Sequence, residues 1–174
     1  MPEWLRLTEE RNAGAVMATA EEKLRFCIML AVENVKRGTG GPFGAAVFDA
    51  ESRLLAVGVN AVLPAKQSNA HAEMTAIANA QNKLQSPRLA DCVLVTSCEP
   101  CVMCFGGVLW SGVSAVIYGA AGSEAARIGF DEGDKVADWH YSLEKRNIRV
   151  AGPLLEAEAR EPFTLYKETA GIIY

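Results

Sequence analysis

The chain has 174 residues, 50% of them hydrophobic and 22% charged, which suits one globular domain large enough to bury its own core. A net charge of −4, with no basic stretch denser than EKRNIR (144–149), argues against a nucleic-acid binder. Residues 1–20 lack the basic start and apolar core of a signal peptide, and no segment approaches the ~18 apolar residues of a membrane span, so a cytoplasmic protein without membrane partners is expected.

No repeat or linker divides the sequence, so residues 1–174 are read as a single domain. Residues 1–19 are expected to form an irregular N-terminal extension. Thr19 or a neighbour then opens AEEKLRFCIMLAVENVKRG, an amphipathic helix ending at Gly38. FGAAVFDAESRLLAVGVN (43–60) holds two β-leaning runs around an Asp/Ser turn, the pattern of a hairpin. AHAEMTAIANAQNKL (70–84) is rich in helix formers. CVLVTS (92–97) reads as a buried strand, and PCVMCFGGVLWSG (100–112) as a helix with proline at its first position. SAVIYGA (114–120) is another buried strand. EGDKVADWHYSLEKRNIRVAG (132–152) suggests a helix and a short strand, and EAEAREPFTLYKETAG (156–171) a proline-interrupted helix. A hairpin followed by alternating helices and strands predicts an α/β fold, one mixed sheet with helices on both faces. Sites in such sheets form where strand ends feed helix starts, and His71 and the Cys101–Cys104 pair both lie at predicted helix starts.

Three of the five cysteines recur in TSCEPCVMC (96–104), in a chain with only two histidines. Under reducing conditions, an odd number of cysteines fits metal ligation better than a disulfide frame. Cys101 and Cys104, at i and i+3, share a helix face, and a helix N-terminus favours their thiolates. His71 can supply a third ligand, leaving the open position that a catalytic zinc needs. Glu73 would emerge from the same first turn as His71, placed to take a proton from an activated water. Taken singly, these features have plainer accounts: paired helical thiols are often simply buried, and a lone His-x-Glu is a weak signal. HAE at 71–73 followed by PCVMC at 100–104 after a strand is, in combination, the signature of zinc nucleobase deaminases. Cys98 falls outside the ligand set, and Cys27 and Cys92 read as buried side chains.

With these motifs the sequence resembles the cytidine/deoxycytidylate deaminase superfamily, and more narrowly its bacterial guanine deaminases, from about residue 22 to the C-terminus. The shared stretches are GGPFGAAV (40–47), GVN (58–60), AHAEMTAI (70–77), TSCEPCVMCFGGVLW (96–110) and IGFDEG (128–133). The resemblance implies a three-layer α/β/α sandwich with a central mixed sheet, in agreement with the element order. It implies Zn²⁺ on His71, Cys101 and Cys104, with Glu73 as proton shuttle. Asn60 would hydrogen-bond a purine, Phe43 and Trp110 would pack around the base, and Glu132 would face the amidine edge of guanine. Members often form homodimers in which C-terminal segments cross over and a terminal aromatic residue closes the partner's pocket. The implied reaction is zinc-dependent hydrolysis of guanine to xanthine and ammonia, with ammeline, an aminotriazine of similar edge, as a further substrate of some relatives.

Several of these residues have a second account. Asn60 ends a strand, where it is either a turn residue or, through its donor and acceptor, a ligand for the base. Glu132 is a solvated loop charge or a second catalytic carboxylate; Asp131 beside it is a cap or a further substrate contact. Phe43 and Trp110 are core residues or base contacts. Chain ends usually tolerate polar residues, so a terminal GIIY either packs on its own domain or brings Tyr174 to a pocket, its own or a partner's. Residues 160–174 are thus a packed end, a lid or a swapped segment.

Three rivals remain. A tRNA adenosine deaminase shares the motifs, but its C-terminal helix should be basic, whereas LEAEAREPFTLYKETAGIIY holds more acidic than basic residues. A cytosine or cytidine deaminase would shape its pocket for a pyrimidine. A non-catalytic zinc domain would close its metal with four protein ligands, and Glu73 tells against it.

Overall fold

The protein is described by a computed structural model covering residues 1–174. Its first residues are not irregular: α1 spans Glu3–Arg11. Only Leu5 of this helix is buried, with Trp4 packed partly against the core beside it, which leaves no apolar stripe in the sequence. α2 (Ala20–Lys36) starts where the sequence indicates. Thr19 Oγ1 accepts from Glu22 N and the Glu22 carboxylate accepts from Thr19 N, a capping box worth about 1 kcal/mol.

β1 (Gly44–Phe48) and β2 (Leu54–Val59) form the expected hairpin, whose turn is set by Asp49 Oδ1 accepting from Glu51 N and Arg53 N. A short α3 (Val62–Ala65) leads to α4 (Ala72–Leu84), β3 (Val93–Cys98), α5 (Val102–Ser111) and β4 (Ala115–Ala120). Cys101, not Pro100, is the residue at the mouth of α5, so the proline precedes the cap. α6 (Gly122–Arg127) has six residues, too few to carry a periodic signal. The helix expected within 132–152 is confined to α7 (Trp139–Glu144), and residues 130–136 run as a loop. β5 (Arg149–Ala151), α8 (Glu156–Ala159) and α9 (Glu161–Glu168) follow, the last two divided at Arg160 ahead of Pro162.

The five strands make one mixed sheet in the order β2-β1-β3-β4-β5. β1 is antiparallel to β2 and β3, whereas β3–β4 and β4–β5 are parallel. Alternate strand residues feed two cores. Ala46, Phe48, Val57 and Val95 pack with α2 and Phe163 of α9, while Ala45, Val47, Leu94 and Val116 pack with α4 and Leu143 of α7. Helices therefore cover both faces, the sandwich that the sequence implied. α4 lies unusually close to β2, because a Cβ at Gly58 would fall 2.1 Å from Ala72 O. That approach sets His71 and Glu73 against the strand end that carries Asn60. No helix is long and apolar enough to cross a membrane.

Candidate active site

One end of the sheet gathers the start of β1, the end of β2 and the C-terminal ends of β3 and β4. His71 and Cys101 are the N-cap residues of α4 and α5, each with extended backbone, so their side chains leave just ahead of a helix. His71 Nδ1 lies 3.5 Å from both Cys101 Sγ and Cys104 Sγ, and all three donor atoms fall within 4.8 Å of one another. Zinc at ~2.3 Å from sulfur and ~2.05 Å from nitrogen, with tetrahedral angles, separates S from N by about 3.6 Å. The triad therefore has the dimensions of a zinc cradle, and two thiols with one imidazole are donors that zinc takes readily. The Cys101 thiol is pulled down by a hydrogen bond from Cys104 and, after the opposing effect of burial, by His71, so it ionises first.

Glu73 follows in the first turn of α4, only 5% exposed, with Cys104 Sγ 3.5 Å from its Oε2. Burial, reinforced by the Cys101 charge, raises its carboxyl above the usual range. Beside these groups lies a cavity of about 310 Å³, the small end of the ligand-site range. Of the residues singled out in the sequence, Phe43, Asn60, His71, Glu73, Cys101, Asp131, Glu132 and Tyr174 line it. Cys104 is fully buried behind it.

Asn60 is 2% exposed. Its Oδ1 accepts from Val62 N at 3.3 Å and from the Tyr174 hydroxyl, while its Nδ2 has no partner within the chain. The donor half of the carboxamide is thus free for a ligand. Phe43 meets Phe130 and Phe163 edge-on, with ring centres 5.0 and 5.5 Å away, and Phe130 meets Tyr174 edge-on at 5.4 Å. Phe130 is a cavity residue that motif reasoning passed over. Its one signal is a place two residues before Glu132 in IGFDEG, because apolar loop residues follow no period.

Glu132 stands on the 130–136 loop, whose attachment is specific. Val102 N donates to Glu132 O at 3.0 Å. Lys135 Nζ pairs with the Glu99 carboxylate, donates to Pro100 O at 2.7 Å, and lies 4.3 Å from the centre of the Trp139 ring. The loop is in this way tied to the turn that carries Cys101. Burial, then the charges of Cys101 and Glu73, push Glu132 up to about 8. Asp131 closes a turn at the rim, with Oδ1 accepting from Gly133 N at 2.9 Å.

Trp110 does not reach the cavity. α5 buries Cys104, Val108 and Ser111, and its helical phase turns Trp110 outward, 76% exposed, with the Arg146 guanidinium 5.1 Å from its ring. Cys98, 1% exposed at the end of β3, also stands apart from the triad. The C-terminal segment reaches the cavity of its own chain. Tyr166 donates its hydroxyl to Ile172 O at 2.7 Å, and Gly171 N donates to Tyr166 O at 2.8 Å, which folds residues 171–174 back from α9.

A model of the cytidine and deoxycytidylate deaminase zinc-binding region matches residues 17–120. The chain belongs to this family. Guanine deaminase of Bacillus subtilis (strain 168) is 41% identical over 128 residues, 74% of this chain and 81% of the relative. The solved structure of guanine deaminase from Nitrosomonas europaea is 39% identical and has a TM-score of 0.89, covering 97% of this chain and 94% of that one. NE0047 in complex with 2,6-diaminopurine is also 39% identical, with a TM-score of 0.93 over 100% of this chain and 94% of that one. Zinc is accordingly the cofactor of this deaminase, and the cradle of His71, Cys101 and Cys104 fits it.

Proposed function

We propose that this deaminase hydrolyses guanine to xanthine and ammonia. The observation that carries the proposal is one small cavity shared by the metal triad, Glu73, the free amide of Asn60 and the carboxyl of Glu132. The relatives at about 40% identity are named guanine deaminases, and NE0047 binds 2,6-diaminopurine, a purine with an amine at C2.

Zinc, when bound, supplies the Lewis acidity that makes water nucleophilic near neutral pH. Glu73 takes a proton from that water as its oxygen adds to C2 of the base, and delivers the proton to N3. It then carries the remaining hydroxyl proton to the exocyclic amine. The C2–N bond breaks, ammonia leaves, and C2 recovers a carbonyl. Asn60 Nδ2 donates to O6 or N7 of the base, with the amide held in that sense by Tyr174 and Val62 N. Glu132 accepts from N1–H and the amine, and is a second proton carrier for the leaving group. Phe43, with Phe130, walls the flat base, and Asp131 contributes at the rim. Holding the base rigidly supplies much of the rate, since the addition disrupts its resonance.

The C-terminal segment serves as a lid, with Tyr174 closing the cavity. A lid of this kind leaves no room for an anticodon loop and speaks against a tRNA substrate. We further propose a homodimer joined through the outer side of α5, where Val102 and Trp110 are exposed beside a groove lined by Phe105, Leu109 and Val136. Trp110→Glu should then yield monomers in sedimentation. A reducing compartment such as the cytoplasm suits a chain whose five cysteines are all free thiols, two of them metal ligands.

Zinc-loaded protein should convert guanine to equal amounts of xanthine and ammonia, and Glu73→Gln should lose this while keeping its zinc. No xanthine from the parent, or parental turnover in the variant, overturns the proposal.

A further inference from the structure

We infer that Asn34 is a positioning residue for Asn60, and that α1 completes its support, so that the N-terminal segment bears on base recognition. The inference rests on Asn60 as a ligand of the base.

Asn34 lies in the last full turn of α2 and is 0% exposed, among apolar neighbours that an aliphatic side chain would join better. Its polar atoms are all engaged. Nδ2 donates to Gly41 O and to Asn60 O, both at 2.8 Å, so one amide group ties the GGPF turn to the end of β2. Oδ1 accepts from Thr39 Oγ1 at 2.7 Å, and the Thr39 hydroxyl accepts from Trp4 Nε1 at 3.0 Å. An unbroken hydrogen-bonded chain thus runs from α1 through Thr39 and Asn34 to the backbone of Asn60.

The surroundings leave little slack. A Cβ at Gly40 would fall 1.8 Å from Asn60 O and 2.8 Å from Asn34 Nδ2; at Gly41 it would fall 2.7 Å from the Tyr174 hydroxyl and 3.1 Å from Asn60 Oδ1. The paired glycines are what let Asn34 and Asn60 meet. Asn60 N donates in turn to Phe43 O at 3.1 Å. With its N–H and carbonyl both fixed, Asn60 can direct Nδ2 at a ligand without first losing backbone freedom.

α1 is itself anchored to the same strand. Glu9 Oε2 accepts from Val57 N at 3.0 Å, and Lys83 Nζ bridges Glu9 Oε1 at 2.8 Å and Leu55 O at 2.7 Å. The helix therefore grips β2 along its edge through Glu9 and at its end through Trp4, Thr39 and Asn34.

Thr39 offers the cleanest test. Thr39→Val removes the bridging hydroxyl at constant volume, Thr39→Ser keeps it, and Trp4→Phe removes the indole donor. Thr39→Val and Trp4→Phe should each raise KM for guanine about three- to tenfold, the effect of one hydrogen bond, with kcat and zinc content unchanged. Thr39→Ser should keep the parental KM. In an Asn60→Ala background, Thr39→Val should add nothing, because the group it steadies is gone. A parental KM in Thr39→Val, an equal increase in both backgrounds, or a loss of kcat alone overturns the inference while leaving guanine deamination intact. If Asn60→Ala itself keeps the parental KM, Asn60 is not a base ligand and the inference falls with it.

Discussion

The hydroxyl of Tyr174, the last residue, donates to Oδ1 of Asn60, 114 positions earlier in the chain. This contact draws an Ile-Ile-Tyr terminus over the cavity. It also fixes the sense of the Asn60 amide, because Oδ1 is engaged and Nδ2 is left free. Burial raises the Tyr174 phenol above its ordinary value, so it stays a donor throughout the neutral range.

Tyr174→Phe should therefore raise KM for guanine about three- to tenfold, the effect of one hydrogen bond, without loss of zinc. Deleting residues 171–174 should do more, raising KM further or abolishing turnover. Steady-state kinetics with a zinc assay decide it, and unchanged kinetics in the truncated chain would count against a lid.

Glu73→Gln should lower kcat by about 10²–10⁴, the usual range for a general acid–base group. Zinc content and guanine binding should persist, because the triad does not include this side chain. Equilibrium binding with metal analysis separates the two effects, and a variant that loses its zinc would make Glu73 a structural partner of Cys104 instead.

The metal site was legible because its ligands sit at helix starts, where spacing and caps leave marks in the sequence. Cys101 and His71 needed only the correct phase of two helices. Trp110 adjoins the same motif, yet once Cys104 fixes the phase of α5 it falls on the outer side. α1 was hidden because Leu5 is its only buried residue. Phe130 was hidden because a loop has no period, and Asn34 because a lone asparagine in a helix reads as a solvent-facing residue. Its partners, Gly41 and Asn60, are brought to it by the hairpin.

The Glu132 carboxyl predicts a pH dependence of stability in the metal-free protein. Its value rises from 4.5 to about 8 on folding, chiefly through burial. Between those limits the folded state holds a proton that the unfolded state has released. The stability this carboxyl contributes should then fall as pH rises across that window, and be fully retained only below it. In chelator this fall is set against the rise contributed by the Cys101 thiol, which folding pulls down, so Glu132→Gln should make the slope of Tm against pH more positive than the parent's. Identical slopes in the two proteins would refute the assignment. In the zinc-loaded enzyme, near-normal turnover by Glu132→Gln would remove it as a proton carrier and leave only a binding role.

Lys135 should matter although it does not line the cavity. Lys135→Met strands the largely buried Glu99 carboxylate and frees the loop that bears Glu132. Since breaking a buried pair leaves an uncompensated charge, kcat/KM should drop by roughly tenfold or more, with zinc retained. Adding Glu99→Gln should recover part of the loss. A double variant as impaired as the sum of the single ones would show that the pair does not act as a unit.

The most direct test of the central claim is ammonia release by the zinc-loaded protein from guanine, ammeline, cytosine, cytidine and a tRNA anticodon stem at equal concentration. Guanine should be turned over with kcat/KM at least ~100-fold above cytosine, cytidine and the anticodon stem, about 2.7 kcal/mol of discrimination. Comparable or faster release from the anticodon stem or a pyrimidine, or guanine left intact, would contradict it.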